Sequence, residues 1–283
     1  MVDSLPWMLG LRPAAPSSAA LRARVAGRLV VVTGASRGVG AETAGRLALA
    51  GARIVLLARR SEALETVAHG IRRRGGDADC LAVDVGDTEA AEGAGRTILE
   101  RWGAPEVVVS NAGFSLRRTL LASADRPRDV ARTIGTNYTG PVALLRLLIP
   151  AMVDAGRGHV VSVASTSVDI PAPGWSLYGA SKSAMDAWLR AVALEVRSSG
   201  VAMTTIRLPL VHTAMSAPTA AYSRVPALRP VDAAKLVARA IVDRPLLISP
   251  WWSRLASVLL AVEPRLLDPV VGGWDRMIDR GDR

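Results

Sequence analysis

Two side chains that can move protons lie one helical turn apart in the sequence. Tyr178 and Lys182 are four residues apart, and side chains at this spacing share one face of a helix. A free phenol titrates at roughly pH 10, which is too high for a good general base at neutral pH. A nearby ammonium favours the phenolate and lowers the phenol pKa. The pair therefore predicts acid–base chemistry at Tyr178, which would give a proton to a substrate oxygen or take one from it.

A serine ahead of this pair is the candidate hydrogen-bond donor to the same substrate oxygen. Ser165 stands thirteen residues before Tyr178 and follows an apolar run predicted as a strand. A hydroxyl at that strand end can stabilise negative charge that develops on a carbonyl oxygen. Ser162 and Ser167 are rival positions, and the spacing to Tyr178 favours Ser165.

Residues 33–40 have the composition of a phosphate-binding turn. They read Thr-Gly-Ala-Ser-Arg-Gly-Val-Gly and stand between a predicted strand and a predicted helix. Glycine permits a tight turn and lets the backbone approach phosphate oxygens, while the helix N-terminus supplies N–H groups. A plain structural loop is the alternative, but the strand–turn–helix setting favours a dinucleotide. The candidate cofactor contacts here are Gly34, Ser36, Arg37, Gly38, Val39 and Gly40.

The end of the second predicted strand indicates which dinucleotide binds. A carboxylate there would bind a ribose 2′-hydroxyl and repel a 2′-phosphate. The strand instead runs out into Arg59 and Arg60, and Arg37 can come to the same side of the adenosine. An arginine fork suits a phosphate dianion, so Arg37 and Arg59 predict NADP(H). In the alternative interpretation, Arg59 and Arg60 only begin a solvated helix.

The elements that must position these residues alternate between apolar, β-branched runs and Ala/Leu-rich amphipathic stretches. The predicted strands are 29–33, 53–58, 80–83, 107–110, 160–163, 203–208 and 246–248. The predicted helices are 38–50, 61–74, 88–102, 128–153, 175–199 and 231–243, with a short one at 19–26. Strands that are apolar throughout are typical of a parallel sheet covered on both faces. The pattern predicts an α/β chain with a single-domain, doubly wound Rossmann sheet of about seven strands.

Further motifs follow in order along the chain. They are Asp84-Val85, Asn111-Ala112-Gly113, Asn137, Ser165, and Tyr178 with Lys182. Together with the Thr-Gly-x-x-x-Gly-x-Gly turn, this set resembles the classical short-chain dehydrogenase/reductase family over about residues 28–250. The resemblance implies an oxidoreductase that moves a hydride between NADP(H) and a carbonyl/hydroxyl pair, with Tyr178 as general acid/base.

The resemblance also implies roles for the other matched positions. Lys182 would bind the nicotinamide ribose, Tyr178 would also contact the cofactor, and Asn137 would hold a water in the proton relay. In the family the adenine lies at the position of Asp84 and Val85. The residues that shape the cofactor cleft would be Asn111, Ala112 and Gly113.

The chain departs from the family after its sixth predicted strand. Many members read Pro-Gly at this point, whereas this chain reads Pro209-Leu210. Pro209 and Val211 are still expected to present backbone to the nicotinamide amide, and Thr213 to reach the cofactor phosphates. The missing glycine leaves the path of this loop open.

The segment 213–229 is the predicted substrate loop. It is rich in apolar residues, and an apolar lid predicts an apolar carbonyl or alcohol substrate. The string PLVHTAMSAPT at 209–219 is similar to reductases of long-chain acyl and other lipid carbonyls, including fatty acyl-CoA reductases and keto-lipid reductases. A loop that simply packs on its own core is the alternative, and a steroid or small-ketone reductase is the alternative substrate class.

The last segment, 251–283, is predicted as an amphipathic extension. Apolar residues recur there at helical spacing, namely Trp251, Trp252, Leu255, Val258, Leu259 and Val262. With the rest of 251–279, such a helix can lie on a membrane surface or cover a lipid channel. Packing against the core or against a second subunit is the plainer interpretation, and both stay open.

Composition argues against a nucleic-acid-binding protein, a metalloprotein and a secreted or membrane-spanning protein. The net charge is +10, but the arginines are scattered, so a nucleic-acid partner is not expected. One cysteine, Cys80, cannot form a disulfide framework, and the histidines His69, His159 and His212 are not at ligand spacing, so no metal is expected. Neither a signal peptide nor an uncharged apolar run of about 20 residues is expected. A cytoplasmic protein, with peripheral membrane contact as an addition, is the prediction.

Three regions and three function classes follow. Residues 1–27 are expected to be an N-terminal extension, 28–250 the catalytic domain, and 251–283 the C-terminal extension. An enzyme is the leading interpretation. A non-catalytic NADP(H)-binding sensor or scaffold is second, and a pure sensor needs no proton relay; a protein that interacts with lipid membranes is third. By analogy with the family, the chain is expected to form a homodimer or homotetramer.

Overall fold

A seven-stranded parallel sheet forms the centre of the molecule. The computed structural model describes residues 10–11, 14–219, 222 and 225–267. Its strands are β1 Leu29–Thr33, β2 Arg53–Ala58, β3 Asp77–Ala82, β4 Val107–Ser110, β5 Gly158–Ser165, β6 Val201–Leu208 and β7 Leu247–Ile248. The spatial order is β3-β2-β1-β4-β5-β6-β7, and every pairing is parallel. The predicted doubly wound α/β sheet is confirmed.

Helices connect the strands and cover both faces of the sheet. In the described residues they are α1 Ser18–Val25, α2 Gly38–Leu49, α3 Ser61–Arg72, α4 Thr88–Trp102, α5 Leu120–Ser123, α6 Pro127–Ile134, α7 Gly140–Asp154, α8 Ser176–Glu195, α9 Pro230–Asp243 and α10 Trp251–Val262. Successive side chains of a strand point to opposite faces. Val30 and Val32 of β1 therefore pack in the cluster that contains α2, α3 and α9, whereas Leu29 and Val31 pack in the one that contains α4, α7 and α8.

The edge strand β3 is longer than the sequence pattern indicates. The prediction began at residue 80, but the strand begins at Asp77 and pairs with β2 along its whole length. Asp77 is exposed, Ala78 is buried and Asp79 is exposed. In an edge strand with one solvated face, buried and exposed side chains alternate in this way. A search for continuous apolar runs therefore misses the first residues of β3.

The predicted continuous helix 128–153 is wrong in its middle. A π-helical turn, Gly135–Thr139, separates α6 from α7. A side chain at Gly140 would collide with the carbonyl oxygen of Val85, so this stretch lies directly on the backbone that follows β3. The extra residue in the π turn places Asn137 inside the protein, where its side chain is 2 % exposed. Such bulges occur often at functional sites.

The two ends of the described chain pack differently. Leu21 and Val25 of α1 are buried in the main core, in contact with α9. In α10, Ser253 is wholly buried, while Trp251 is 66 % exposed and Val262 is 79 % exposed. These exposed residues do not pack against the described core of their own chain, and their contact with a membrane or a second subunit stays a prediction. The predicted membrane segment continues beyond residue 267, outside the described residues, and no described helix has both the length and the hydropathy to cross a bilayer.

Candidate active site

The strand order reverses between β1 and β4, and the carboxyl ends of the strands open there into a cavity of about 1850 Å³. Ligands of doubly wound sheets bind in this crevice. The cavity is long enough to touch the glycine turn after β1 at one end and the segment before α8 at the other. All the predicted site residues except Gly40 and Asn137 line it, and these two lie directly behind its wall.

The glycine turn is fixed by hydrogen bonds between the ends of β1 and β4. The Thr33 hydroxyl accepts from the backbone N–H groups of Asn111 and Ala112, both at 2.9 Å. The Asn111 amide donates back to the Thr33 carbonyl at 3.0 Å. Gly34 has φ +64°, and a Cβ there would approach Ala112 Cα to 2.9 Å. Asn111 and Ala112 therefore hold the turn in a form that only glycine adopts easily.

Cations outnumber carboxylates among the described residues that line the cavity. They are Arg37, Arg59, Arg60, Arg117, Arg132 and Lys182, whereas Asp84 is the one carboxylate. Arg59 lies 3.7 Å from Asp84, and both side chains are largely exposed. Such an exposed pair is weak, so Arg59 can turn toward an anionic ligand at little cost. The balance of charge suits a ligand with several phosphates.

The residues that line the cavity are arranged as a dinucleotide requires. The turn 34–40 brings backbone to its wall at the start of α2, where helix N–H groups favour an anion. Asp84 and Val85 line the next part of the cavity, and Asp84 is oriented by the Gly86 N–H at 2.9 Å. The residues present therefore fit a phosphorylated dinucleotide that runs along the strand ends.

Tyr178 and Ser165 meet at the other end of the cavity. Ser165 is the last residue of β5, and Tyr178 lies in the first turn of α8. Burial raises the pKa of Tyr178, and a hydrogen bond from Ser165 lowers it by a smaller amount. The phenol is therefore protonated at neutral pH in the polypeptide alone. Of the rival serines, Ser162 is buried within β5, and the Ser167 N–H donates to the Ser165 hydroxyl at 3.2 Å.

Lys182 lies one turn further along α8 and is 8 % exposed. Its ammonium donates to the Val163 carbonyl at 3.1 Å, and burial lowers the pKa of Lys182 to about 8. In the polypeptide alone, burial dominates and raises the pKa of Tyr178. The reason is that withdrawing a phenolate from water costs more than a hydrogen bond returns. The lowering expected from Lys182 together with oxidised nicotinamide concerns the cofactor-bound form and stays a prediction.

Asn137 joins three parts of the site. Its amide oxygen accepts from the Phe114 N–H at 2.8 Å, and its amide nitrogen donates to the Phe114 carbonyl at 2.8 Å and to the Ser181 hydroxyl at 2.9 Å. A Cβ at Gly113 would lie 3.3 Å from both Asn137 Oδ1 and Lys182 Nζ. The side chain thus ties the loop after β4 to α8. Its role in a water relay stays a prediction.

The loop after β6 follows a defined path despite the missing glycine. Val211 forms an isolated bridge with Leu228, and its carbonyl accepts from the Ser216 hydroxyl at 2.9 Å. Pro209, Val211 and Thr213 all line the cavity. The Thr213 methyl lies 3.4 Å from the Cβ position of Gly38, so Thr213 sits beside the phosphate turn.

Comparison with known proteins decides the family. The model of the short chain dehydrogenase family matches residues 28–223. The chain belongs to this family. The sequence-based prediction of a short-chain dehydrogenase is thereby confirmed, and the matched range includes the glycine turn, Tyr178 and Lys182.

Relatives of this short-chain dehydrogenase include two bacterial proteins named as fatty acyl-CoA reductases. One, from Acinetobacter baylyi, is 39 % identical over 246 residues, which cover 87 % of this chain and 83 % of the relative. The other, from Mycobacterium tuberculosis, is 38 % identical over 246 residues, covering 87 % and 84 %. Among solved structures, a metagenomic short-chain oxidoreductase in complex with NADP is 30 % identical, with a TM-score of 0.70, over 80 % of this chain and 97 % of that one.

The substrate end of this short-chain dehydrogenase contains residues that the sequence analysis did not select as site residues. Trp175 and Tyr222 stack with ring centroids 5.5 Å apart, and both pack near Tyr178. The Arg117 guanidinium lies 5.5 Å from the centre of the Trp175 ring. Burial raises the pKa of Tyr222 above its ordinary range, which keeps that phenol neutral. Tyr222 belongs to the predicted substrate loop. Arg117 and Trp175 match no sequence motif, and only their place in the cavity wall identifies them.

Proposed function

We propose that this short-chain dehydrogenase is an NADP(H)-dependent reductase of apolar carbonyl compounds, with fatty acyl substrates as the first choice. One observation carries the proposal: Ser165, Tyr178 and Lys182 share one cavity with an arginine-rich phosphate end. A bound nicotinamide supplies the hydride in reduction and accepts it in oxidation. The polypeptide supplies the proton, the hydrogen bonds and the orientation.

The proton step follows from the state of Tyr178. Its raised pKa keeps the hydroxyl protonated, which is the form that donates to a carbonyl oxygen. Ser165 donates a second hydrogen bond to that oxygen, where negative charge develops during reduction. Lys182 is mostly protonated at pH 7 with a pKa of about 8, so it stabilises the phenolate left behind. With an acyl-CoA, the hemithioacetal formed in this way then loses its hydroxyl proton and expels CoA, which leaves as the thiol, to give the aldehyde. In the oxidation of an alcohol, the same phenolate takes the proton.

The preference for NADP(H) is supported by Arg37 and Arg59. Both line the cavity beside the glycine turn and the end of β2, and no described residue of β2 is a carboxylate. The solved relative described above binds NADP. A 2′-phosphate between two guanidinium groups forms charge-assisted hydrogen bonds that a 2′-hydroxyl does not.

The substrate class is supported by the wall of the cavity and by the relatives. Ile170, Pro171 and Trp175 line the substrate end, together with Tyr222 and Met215 of the predicted substrate loop. An apolar wall of this kind favours a long acyl chain, and two relatives are named as fatty acyl-CoA reductases. Steroids and small ketones are the second substrate class. The sensor alternative is less favoured because the complete proton-transfer group is present.

The substrate proposal predicts a steep dependence on chain length. Each methylene buried in the cavity contributes about 0.8 kcal/mol, so kcat/KM should rise roughly fourfold per methylene until the chain outgrows the cavity. NADPH oxidation is followed at 340 nm with fatty acyl-CoA and aldehyde series, keto-acyl esters, steroids and quinones, and each is repeated with NADH. Equal kcat/KM for short and long chains, or activity with NADH alone, would contradict the proposal.

Contact with a membrane or a second subunit stays a prediction, for which α10 offers a surface. Leu255, Val258 and Val262 form an exposed apolar stripe on that helix, and the protein is basic. We expect the full chain to sediment with vesicles that contain anionic phosphatidylglycerol, and the Leu255→Glu/Val258→Glu variant to stay in the supernatant. Equal sedimentation of both forms would exclude α10 as the anchor. A dimer seen by light scattering that dissociates in the variant would assign the stripe to a second copy.

A further inference from the structure

A buried cluster of charges lies behind the proton-transfer group. The Arg207 guanidinium contacts Asp169 at 2.5 Å and Asp186 at 2.8 Å. The Asp169 and Asp186 side chains are almost completely buried, and the Arg207 side chain is 12 % exposed. Burying three ionised groups costs free energy unless their geometry is fixed and their hydrogen bonds are made. The contacts of Arg207 with the two carboxylates fix the relative positions of the segments that carry these three residues.

The three members come from three elements of the active site. Asp169 follows Ser165 by four residues and ends the short 3-10 turn Thr166–Val168. Asp186 lies one turn after Lys182 on α8. Arg207, on β6, is in register with Ala164, the neighbour of Ser165 on β5. The cluster thus connects the serine loop, the lysine helix and the sheet.

The cluster also reaches the C-terminal helix. The Ser253 hydroxyl donates to Asp169 Oδ2, and Ser253 is the one wholly buried residue described in α10. The opposite face of α10 is exposed, as the residues Trp251, Leu255, Val258 and Val262 show. This hydrogen bond attaches the buried face of α10 to the charge cluster.

The residue next to that attachment belongs to the cavity wall. Trp252 lines the cavity together with Tyr178, Trp175 and Tyr222. On its other side Gly10 packs so closely that a Cβ there would come to 2.7 Å from the indole Cδ1. The indole is thus held between the N-terminal extension and the cavity.

We propose that Trp252 is a specificity-determining wall of the substrate end, and that Asp169 is the positioning residue that holds α10 in place. The inference rests on the proposed function, because it names the part of the chain that limits the length of the acyl substrate. The C-terminal extension, which lies outside the range matched by the family model, is then part of the active site.

The wall is tested with two adjacent tryptophans. Trp252→Ala should lower kcat/KM for a medium-chain acyl-CoA about 10-fold, as expected for the loss of apolar contact, and shift the preferred chain to greater length. Trp251→Ala is the matched control, since Trp251 is exposed and does not line the cavity. NADPH affinity, measured by fluorescence titration, should be unchanged in both variants. Identical chain-length profiles for Trp252→Ala and the wild-type protein would overturn the role of Trp252 in substrate specificity.

The positioning role is tested without turnover. In Ser253→Ala, amide hydrogen exchange of α10 should increase while exchange of β5 stays as in the wild-type protein. In Asp169→Asn, exchange of α10 should increase as well. Ser257→Ala is the control, because that hydroxyl only donates to the Arg254 carbonyl of its own helix. Unchanged exchange of α10 in Ser253→Ala would overturn the role of Asp169. A wild-type protein that reduces no carbonyl would contradict the proposed function, while the exchange result would still stand.

Discussion

Replacing Tyr178 by phenylalanine should lower kcat by about 10²- to 10⁴-fold, the usual contribution of a positioned general acid, and leave NADPH affinity unchanged. The substitution removes one oxygen from the cavity wall and no part of the arginine-rich end. It also removes the hydrogen bond with Ser165 but keeps the ring that packs near Trp175. Single-turnover NADPH oxidation and a fluorescence titration of NADPH measure the two quantities.

Tyr138→Phe is the matched control for this substitution. Tyr138 lies in the π turn beside Asn137 and does not line the cavity. It should keep both turnover and binding. If Tyr178→Phe retained wild-type turnover, another group would be the proton donor. If it lost NADPH binding as well, the fold at α8 would have changed, and the thermal midpoint would fall together with binding.

Removing Arg37 and Arg59 together should weaken NADPH binding by about 100-fold, whereas NADH binding should change little. A hydrogen bond to a charged group contributes about 1.5 kcal/mol or more, which is roughly 10-fold for each arginine. Arg59 is paired with Asp84 in the polypeptide, at 3.7 Å and largely exposed. That competition is weak, so each single Arg→Ala variant should lose about 10-fold. Fluorescence titrations with both dinucleotides give the ratio.

Arg96→Ala provides the control, because Arg96 is exposed on α4 and pairs with Glu92 outside the cavity. By NADPH affinity, the five proteins should rank as wild type and Arg96→Ala first, the two single variants next and the double variant last. A double variant that loses equal affinity for NADPH and NADH would show that these arginines bind the shared pyrophosphate. The NADP(H) preference would then need another explanation.

The fold could be predicted because the core strands are apolar throughout. Val30, Val31 and Val32 of β1 are completely buried on both faces of the sheet, which is why a continuous apolar run identified that strand. The same criterion failed at β3, whose edge position leaves Asp77 in solvent. It also failed at the π turn, because the contact of Gly140 with Val85 joins residues far apart in the sequence.

The catalytic positions could be predicted because their spacing in the sequence follows local rules of helix and strand geometry. Tyr178 and Lys182 depend on one helical turn, and Ser165 depends on a strand end, so local rules place them. The residues around them have no such local spacing. Asp169 and Arg207 are 38 residues apart, and their contact exists only because β5 and β6 are neighbours in the sheet.

The direction in which the Tyr178 pKa shifts in the folded chain also could not be predicted from the sequence. A phenol and an ammonium four residues apart predict a lowered pKa, but the degree of burial decides the sign. In the folded chain both groups lose water, so the pKa of Tyr178 rises and the pKa of Lys182 falls. The two groups are thus adjusted in opposite directions by the same cause, and the result suits donation of a proton to a carbonyl.

Isotopic labelling follows the transfer of the hydride from the nicotinamide to the substrate. NADPH with deuterium at both hydrogen positions of nicotinamide C4, so that either face delivers label, is mixed with the full chain and a long-chain acyl-CoA or aldehyde, and the lipid product is examined by mass spectrometry. We expect one deuterium on the former carbonyl carbon for each hydride transferred. An alcohol formed from an aldehyde, or an aldehyde released from an acyl-CoA together with free CoA, is then one mass unit heavier than the unlabelled product, and Tyr178→Phe forms no such product at equal time. A reduced product without label at that carbon, or bound NADPH with no reduced product from any carbonyl class, would contradict this hydride transfer.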